Sequence, residues 1–228
     1  MKSPSVVIKT FTDRYPLIGP LIWILCIQYY IVQIVVAKAW LIHYSLLHNP
    51  ISDLGNTACG LYSGRFVCSP LHGLMNASFI MLGITMAVGS LLIYQEFKES
   101  IASLVGFCFM SIAGFGTLVV GLFPENTFSS VHLAGAILPF FIGNVALIVL
   151  SFGLRIPNLF KAYTFLSGGI PLAALIFLIT NHYLGLGVGG IERLTTYPQT
   201  TWLIIFGIYI SSNHIRKIPR LRLQNKRY

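Results

Sequence analysis

The chain has 228 residues, of which 55% are hydrophobic and only 9% charged, with a formal net charge of +9. Soluble globular domains carry about 25% charged residues, so this composition excludes one and predicts a single unit solvated mainly by lipid. The basic excess does not indicate nucleic acid: it lies in short loops and in the tail HIRKIPRLRLQNKRY behind the last apolar run, where it sets orientation and meets anionic lipid.

Six apolar segments reach the roughly 20 helical residues that a bilayer core requires. In chain order they are 17–37, 71–94, 101–123, 132–154, 164–187 and 198–215. The runs are continuous rather than alternating, which selects helices over a β-barrel. The predicted fold is an all-α membrane protein, a six-transmembrane-helix bundle with both termini cytoplasmic. Residues 1–16 form a cytoplasmic N-terminus, 17–215 the transmembrane domain and 216–228 a basic cytoplasmic tail. Pro20, Pro139 and Pro171 fall inside spans and are expected to kink them. Gly83, Ala87, Ala113, Gly114, Gly116, Ser167, Gly168 and Gly169 are small enough to allow close helix contact. Ala37-Lys38-Ala39 matches a signal-peptidase site, but the run before it is longer than a signal h-region of about 7–15 residues, so the first helix is expected to be retained.

The basic residues orient the bundle. With the N-terminus inside, twelve Lys and Arg fall inside, including Lys2, Lys217, Arg220, Arg222, Lys226 and Arg227, and three outside, namely Lys38, Arg65 and Arg193. Asp13, Glu96 and Glu99 are inside and read as solvated charges. Short loops point to a bacterial inner membrane. Cys59 and Cys68 lie in the long first outer loop, CGLYSGRFVC, and are expected to form a disulfide. Zinc ligation is the other reading of that pair, but the CxxC spacing of zinc sites is absent.

The polar residues then collect on one side. His43, His48, Asp53, His72, Asn76, Glu125, His132, His182, Glu192 and Arg193 all fall at the outer ends of helices or in outer loops, leaving only His214 of the six histidines inside. The stretch HNPISDLGN, 48–56, belongs to this outer layer. A repeat sharpens the pattern: SPLHGLMNASFIMLG (69–83) resembles SSVHLAGAILPFFIG (129–143) at an offset of 60 residues. The same offset again reaches Glu192, which suggests three repeated hairpins, with His72, His132 and Glu192 at equivalent heights.

Two imidazoles and a carboxylate are a catalytic zinc set, so His72, His132 and Glu192 are candidate metal ligands, with Asp53 as a further ligand or orienting partner. No compact motif such as HExxH supports zinc, and interfacial histidines hydrogen-bonded to loops are the alternative. Candidate catalytic residues are Asp53, His72, His132 and Glu192. Candidate substrate-binding residues are Ser52, Asn76, Glu125 and Arg193. Ser52-Asp53 also has strong turn and capping chemistry, and a Ser52 nucleophile with His72 as base has no G-x-S-x-G elbow behind it. Gly185, Gly187, Gly189 and Gly190 form either an anion-binding turn before an Arg193 clamp or simply a tight connection. The apolar inner half argues against an ion pathway across the membrane.

HNPISDLG, SPLHGLMNASFIMLG, GLFPEN with HLAGA, and GGIERLTTYP resemble the prokaryotic membrane family called domain of unknown function 998, over nearly the whole chain. SDLG and G-x-ER are its most specific elements, and the resemblance implies a six-helix bundle. It also implies a distant similarity to membrane proteins of the damage-regulated autophagy modulator and GPI-lipid remodelling types, and through them a lipid-related role by analogy. The matched positions are Ser52, Asp53, Gly55, His72, Asn76, Pro124, Glu125, His132, Glu192 and Arg193. The expectation is an outward-facing site acting on or binding membrane lipid, as a hydrolase or transferase, as a non-catalytic lipid or anion sensor, or as the structural partner of another membrane protein.

Overall fold

The computed structural model describes residues 4–98 and 100–224, with side-chain environments for 8–98 and 100–216. Lys2, Glu99, Lys226 and Arg227, assigned above to the inner side, lie outside the described residues. Helix α1 covers Pro4–Arg14 in the N-terminal segment. The spans follow as α2 (Ile18–Lys38), α3 (His72–Tyr94), α4 (Ile101–Leu122), α5 (Ser129–Gly153) and α6 (Asn158–Ile179), and these five helices are long and apolar enough to cross a membrane. Helix α7 covers Gly187–Gln224.

Local chemistry sets several ends. Ser100 caps α4, its hydroxyl accepting from the Ala102 N–H at 3.1 Å. Pro157 precedes α6, where a missing N–H costs nothing. Pro139 cannot donate into its helix, and α5 widens there into a π-helical turn, Leu138–Gly143. Two glycines allow one close approach between helices. A Cβ on Gly83 would lie 2.5 Å from the Gly114 carbonyl, and one on Gly114 would lie 2.6 Å from the Gly83 carbonyl, so α3 and α4 touch backbone to backbone.

Two helices differ from the sequence reading. The fifth run was expected over 164–187, but α6 starts at Asn158 and stops at Ile179. Asn181, Leu184, Gly185 and Gly187 then take positive φ, which ends the helix although the residues stay apolar. The sixth helix starts at Gly187 rather than near 198, so Glu192 and Arg193 sit inside it. Helix α7 is not among the five spans; Glu192, Arg193, Gln199, Asn213 and His214 dilute its apolar run. Its Trp202, Leu203 and Phe206 are fully buried, so much of its apolar surface faces other helices rather than lipid.

At one end of the bundle, Trp23, Phe107, Trp202 and Phe206 pack ring against ring, with Trp202 and Phe206 stacked at 4.6 Å. At the other end, the 39–71 segment folds over the helices. It contains a 3-10 turn, Ser52–Gly55, and a hairpin of β1 (Cys59–Tyr62) and β2 (Arg65–Cys68). Ser63 and Gly64, both at positive φ, make the two-residue turn that suits a twisted hairpin. The strands pair Cys59 with Cys68 and Tyr62 with Arg65, and the expected Cys59–Cys68 disulfide is present.

Candidate functional site

The polar site is built on the Ser52–Gly55 turn. The Asn76 side chain on α3 donates to the Gly55 carbonyl at 2.9 Å, and Ser69 donates to the Leu54 carbonyl at 2.7 Å. A Cβ on Gly55 would lie 2.3 Å from the Asn76 amide oxygen, so only glycine lets the turn sit this close to α3. From below, Glu192 Oε2 accepts the Ile51 N–H at 2.6 Å. The turn is thereby fixed to α3 and α7.

Ser52 is the junction of the site. Its Oγ lies 3.0 Å from His132 Nε2 on α5 and 3.5 Å from Glu192 Oε1. His132 Nδ1 faces the Phe123 carbonyl at 2.8 Å. A carbonyl only accepts, so Nδ1 carries the proton, and Nε2 presents a lone pair to the serine hydroxyl. Ser52 can give its one hydroxyl proton to His132 Nε2 at 3.0 Å or to Glu192 Oε1 at 3.5 Å, and the imidazole is the nearer acceptor, a spacing that suits an activated nucleophile.

Around this pair lies a carboxylate network. Asp53 is fully buried, and Arg65 on β2 grips it with two hydrogen bonds, Nε to Oδ2 and Nη2 to Oδ1, each 2.6 Å. Asn49 adds a third bond to Oδ2 at 3.1 Å. Burial disfavours the charge on Arg65, but the Asp53 carboxylate more than offsets this and holds the guanidinium above its ordinary range. Glu125, in the α4–α5 loop, accepts from the Asn56 amide at 3.0 Å. Burial first, then the neighbouring Asp53 carboxylate, pushes Glu125 up to about 8. Below that pH, Glu125 carries the proton that lets two acidic side chains share one site.

The residues singled out in the sequence therefore divide. Ser52, His132 and Glu192 meet. Asp53 and Glu125 flank them as the network that fixes the turn. Asn76 tethers the turn to α3 through the Gly55 carbonyl. His72 does not join: its Nδ1 lies 2.9 Å from the Ser69 carbonyl, at the head of its own helix. The proposed ligand trio of His72, His132 and Glu192 is not assembled. Among the described residues, no three His, Cys, Asp or Glu side chains are placed to hold a metal ion. The physical reason is that both His132 nitrogens and both Glu192 oxygens already have near partners within the protein. His132, not His72, is the imidazole that lies within hydrogen-bond distance of Ser52.

Arg193 and the glycines are engaged with the 44–49 segment, which is the tight-connection reading of the glycines. Arg193 Nη1 donates to the carbonyls of Leu46, Asn49 and Gly189, and Nη2 donates to the Tyr44 hydroxyl. The Gly189 and Gly190 N–H groups both point at the Leu47 carbonyl, at 2.8 and 3.3 Å, instead of facing an external anion. A Cβ on Gly189 would lie 2.3 Å from the Asn49 carbonyl, so the glycines let the 46–49 backbone press onto α7. Arg65 was read only as an outer charge; its partnership with Asp53, twelve residues away, follows from the hairpin. A cavity of about 40 Å³ opens beside Ser52 and Glu192, bounded by Phe79, Val120, Pro139 and Gln199. That volume takes one or more ordered waters, and Glu192, Gln199 and Thr196 supply polar partners.

No curated protein and no solved structure matches the chain. A family model does match, from 18 to 209, which takes in every residue of the Ser52 site. The chain thus belongs to the family described as Protein of unknown function (DUF998).

Proposed function

We propose that this integral membrane protein is an acyl hydrolase or acyltransferase acting on a membrane lipid ester, with Ser52 as nucleophile and His132 as general base. The observation that carries the reading is the 3.0 Å approach of Ser52 Oγ to a His132 Nε2 whose proton is held on the opposite nitrogen. The Ser52 hydroxyl proton passes to His132 Nε2 as Oγ attacks the ester carbonyl carbon. The tetrahedral intermediate collapses and the C–O bond to the leaving alcohol breaks. That alcohol takes the proton back from His132, leaving an acyl group on Ser52. Water, or a second alcohol in the transferase case, then attacks the acyl carbon with His132 again accepting the proton; the acyl–Oγ bond breaks, Ser52 Oγ takes that proton back from His132, and the free acid or new ester leaves.

The adjacent cavity supports this by providing room for the hydrolytic water within a dry bundle. Glu192 positions the serine turn through the Ile51 N–H. In the same reading, α7 is a sixth pass, both termini are cytoplasmic, and the site works at the outer leaflet of a bacterial inner membrane with lipids as its partners. The separation of basic residues supports this orientation.

One observation favours a second reading, a non-catalytic binding protein: His132 leans on a carbonyl rather than a carboxylate, so Ser52, His132 and Glu192 would serve as a clasp between helices. Turnover separates the two. Purified protein incubated with a set of glycerolipid and lipoprotein-type esters should release fatty acid or transfer it. Ser52→Ala should abolish the activity, and His132→Gln should reduce it by roughly 10²–10⁴-fold. Absence of any product, with both variants less stable than the wild type, would select the clasp.

A further inference from the structure

A second recess opens between the end of α2, the 40–46 segment and the first turns of α7. Its volume is about 550 Å³, within the range of about 300–1,000 Å³ typical of ligand sites. Lys38 and Arg193 line it, and among the described residues no carboxylate does. Neither Lys38 nor the recess is used by the Ser52 chemistry.

The unpaired polar atoms single this recess out. Among the described residues, the buried side-chain atoms without a hydrogen-bond partner include Gln33 Nε2, Trp40 Nε1 and Arg193 Nε, and all three residues line this one recess. All three atoms are N–H donors. Buried donors are almost always satisfied, so three together in one wall point to an acceptor that the protein itself does not supply. Gln33 and Arg193 are nearly fully buried, and their other ends are already fixed. Gln33 Oε1 accepts from the Tyr197 hydroxyl at 2.8 Å, and the Arg193 Nη atoms are held by the 44–49 segment. Three N–H groups without a partner thus belong to residues of one wall.

From this geometry we infer that the recess binds the phosphate headgroup of an anionic membrane lipid, independently of the Ser52–His132 reaction. A phosphodiester offers only acceptors and carries the charge that Lys38 and Arg193 complement. The walls point to a lipid as its source. Ile34 and Ile42 are more than half exposed beside the recess, giving an acyl chain an apolar path. Trp40, Tyr44 and Tyr197 form the aromatic surround found where headgroups meet hydrocarbon. Binding requires the Gln33 amide and the Trp40 ring to turn so that their buried N–H groups reach the phosphate.

The test is a native mass-spectrometry titration of the delipidated full-length protein with phosphatidylglycerol, phosphatidylcholine and inorganic phosphate. The variants are Lys38→Gln and Trp40→Phe, because Arg193 also ties down the 44–49 segment and its loss would confound folding. Phosphatidylglycerol should bind clearly more tightly than phosphatidylcholine, and each variant should weaken it by about tenfold, the value of one hydrogen bond to a charged group. Inorganic phosphate should not displace it at equal concentration. Ser52→Ala should bind like the wild type, which keeps this result separate from any failure of the acyl-transfer reading. Equal binding of the two lipids, or unchanged binding in both variants, would overturn the site. Displacement by inorganic phosphate would overturn the lipid assignment and leave a free-anion site.

Discussion

The two ends of the bundle are held together in different ways. At the end away from Ser52, Trp23, Phe97, Phe107, Phe160 and Phe206 fill the space with rings, with centroids mostly 5–6 Å apart. At the Ser52 end, a chain of directional bonds joins Arg65, Asp53, Asn49, Asn56 and Glu125 across the folded-over segment. Ring packing is short-ranged and tolerates repacking, whereas a buried polar network keeps its value only when every member is present. The aromatic end therefore suits stability, and the polar end suits holding Ser52 at a set distance from His132.

The largest expected structural effect is on the aromatic end. Trp202→Ala removes a fully buried ring and its 2.8 Å donation to Thr164, and should cost about 3–5 kcal/mol in an unfolding assay. Trp202→Phe should recover most of that loss, since the volume is nearly kept. At the polar end, Arg65→Ala leaves a fully buried Asp53 without its cation and should cost roughly 3 kcal/mol. Arg65→Lys should rescue little, because a single ammonium cannot reproduce the two-bond grip. If Arg65→Lys behaves like the wild type, the network is less directional than described.

Cleaving the disulfide comes next. Cys59→Ser with Cys68→Ser opens a loop with a sequence separation of 9 and should lower stability by about 2–3 kcal/mol, chiefly through the 59–68 hairpin. Proteolysis near Ser63-Gly64 should accelerate, while the aromatic end stays protected. The smallest effect is the pH dependence of Glu125. Its carboxyl is raised in the folded state to about 8, so the folded protein holds a proton that the unfolded chain releases near its ordinary range. This group's contribution is complete at acid pH and declines as pH climbs through the interval up to about 8. Glu125→Gln should flatten that decline, shifting Tm at pH 8 upward by a few degrees, about 2–4 °C for each kcal/mol. A decline unchanged in Glu125→Gln would assign it to another group.

Much of the aromatic half was legible in the sequence, because helix-length apolar runs need no partner to be recognised. The errors fell where local and tertiary signals disagree. Lys161 made 158–163 look like loop, yet α6 begins at Asn158. The apolar residues of 183–186 looked helical, yet left-handed Leu184 and Gly185 stop the chain there. The glycines before Glu192 read as an anion turn or a connection, but Gly187 already opens α7, whose Glu192 and Arg193 bond to an N–H and to carbonyls of residues 46–51. The Ser63-Gly64 turn signal within CGLYSGRFVC was present and marks a hairpin.

The site was half legible. The 60-residue offset pointed to His132 and Glu192, and both reach Ser52. It pointed equally to His72, which faces its own helix start instead. Nothing in the sequence sets a distance between residues 80 positions apart, so the Ser52–His132 pair emerges only from the folded-over segment. The three donors of the Lys38 recess were likewise invisible, since an unpaired N–H is defined by what surrounds it.

The most direct test of the account is to treat the membrane-extracted protein with a fluorophosphonate probe and map the adduct by intact mass and peptide sequencing. One stoichiometric adduct is expected, located on Ser52, absent in Ser52→Ala and strongly slowed in His132→Gln, with His72→Ala labelling at the wild-type rate. An unlabelled wild type, or an adduct that persists in Ser52→Ala, would contradict the assignment of Ser52 as a nucleophile activated by His132.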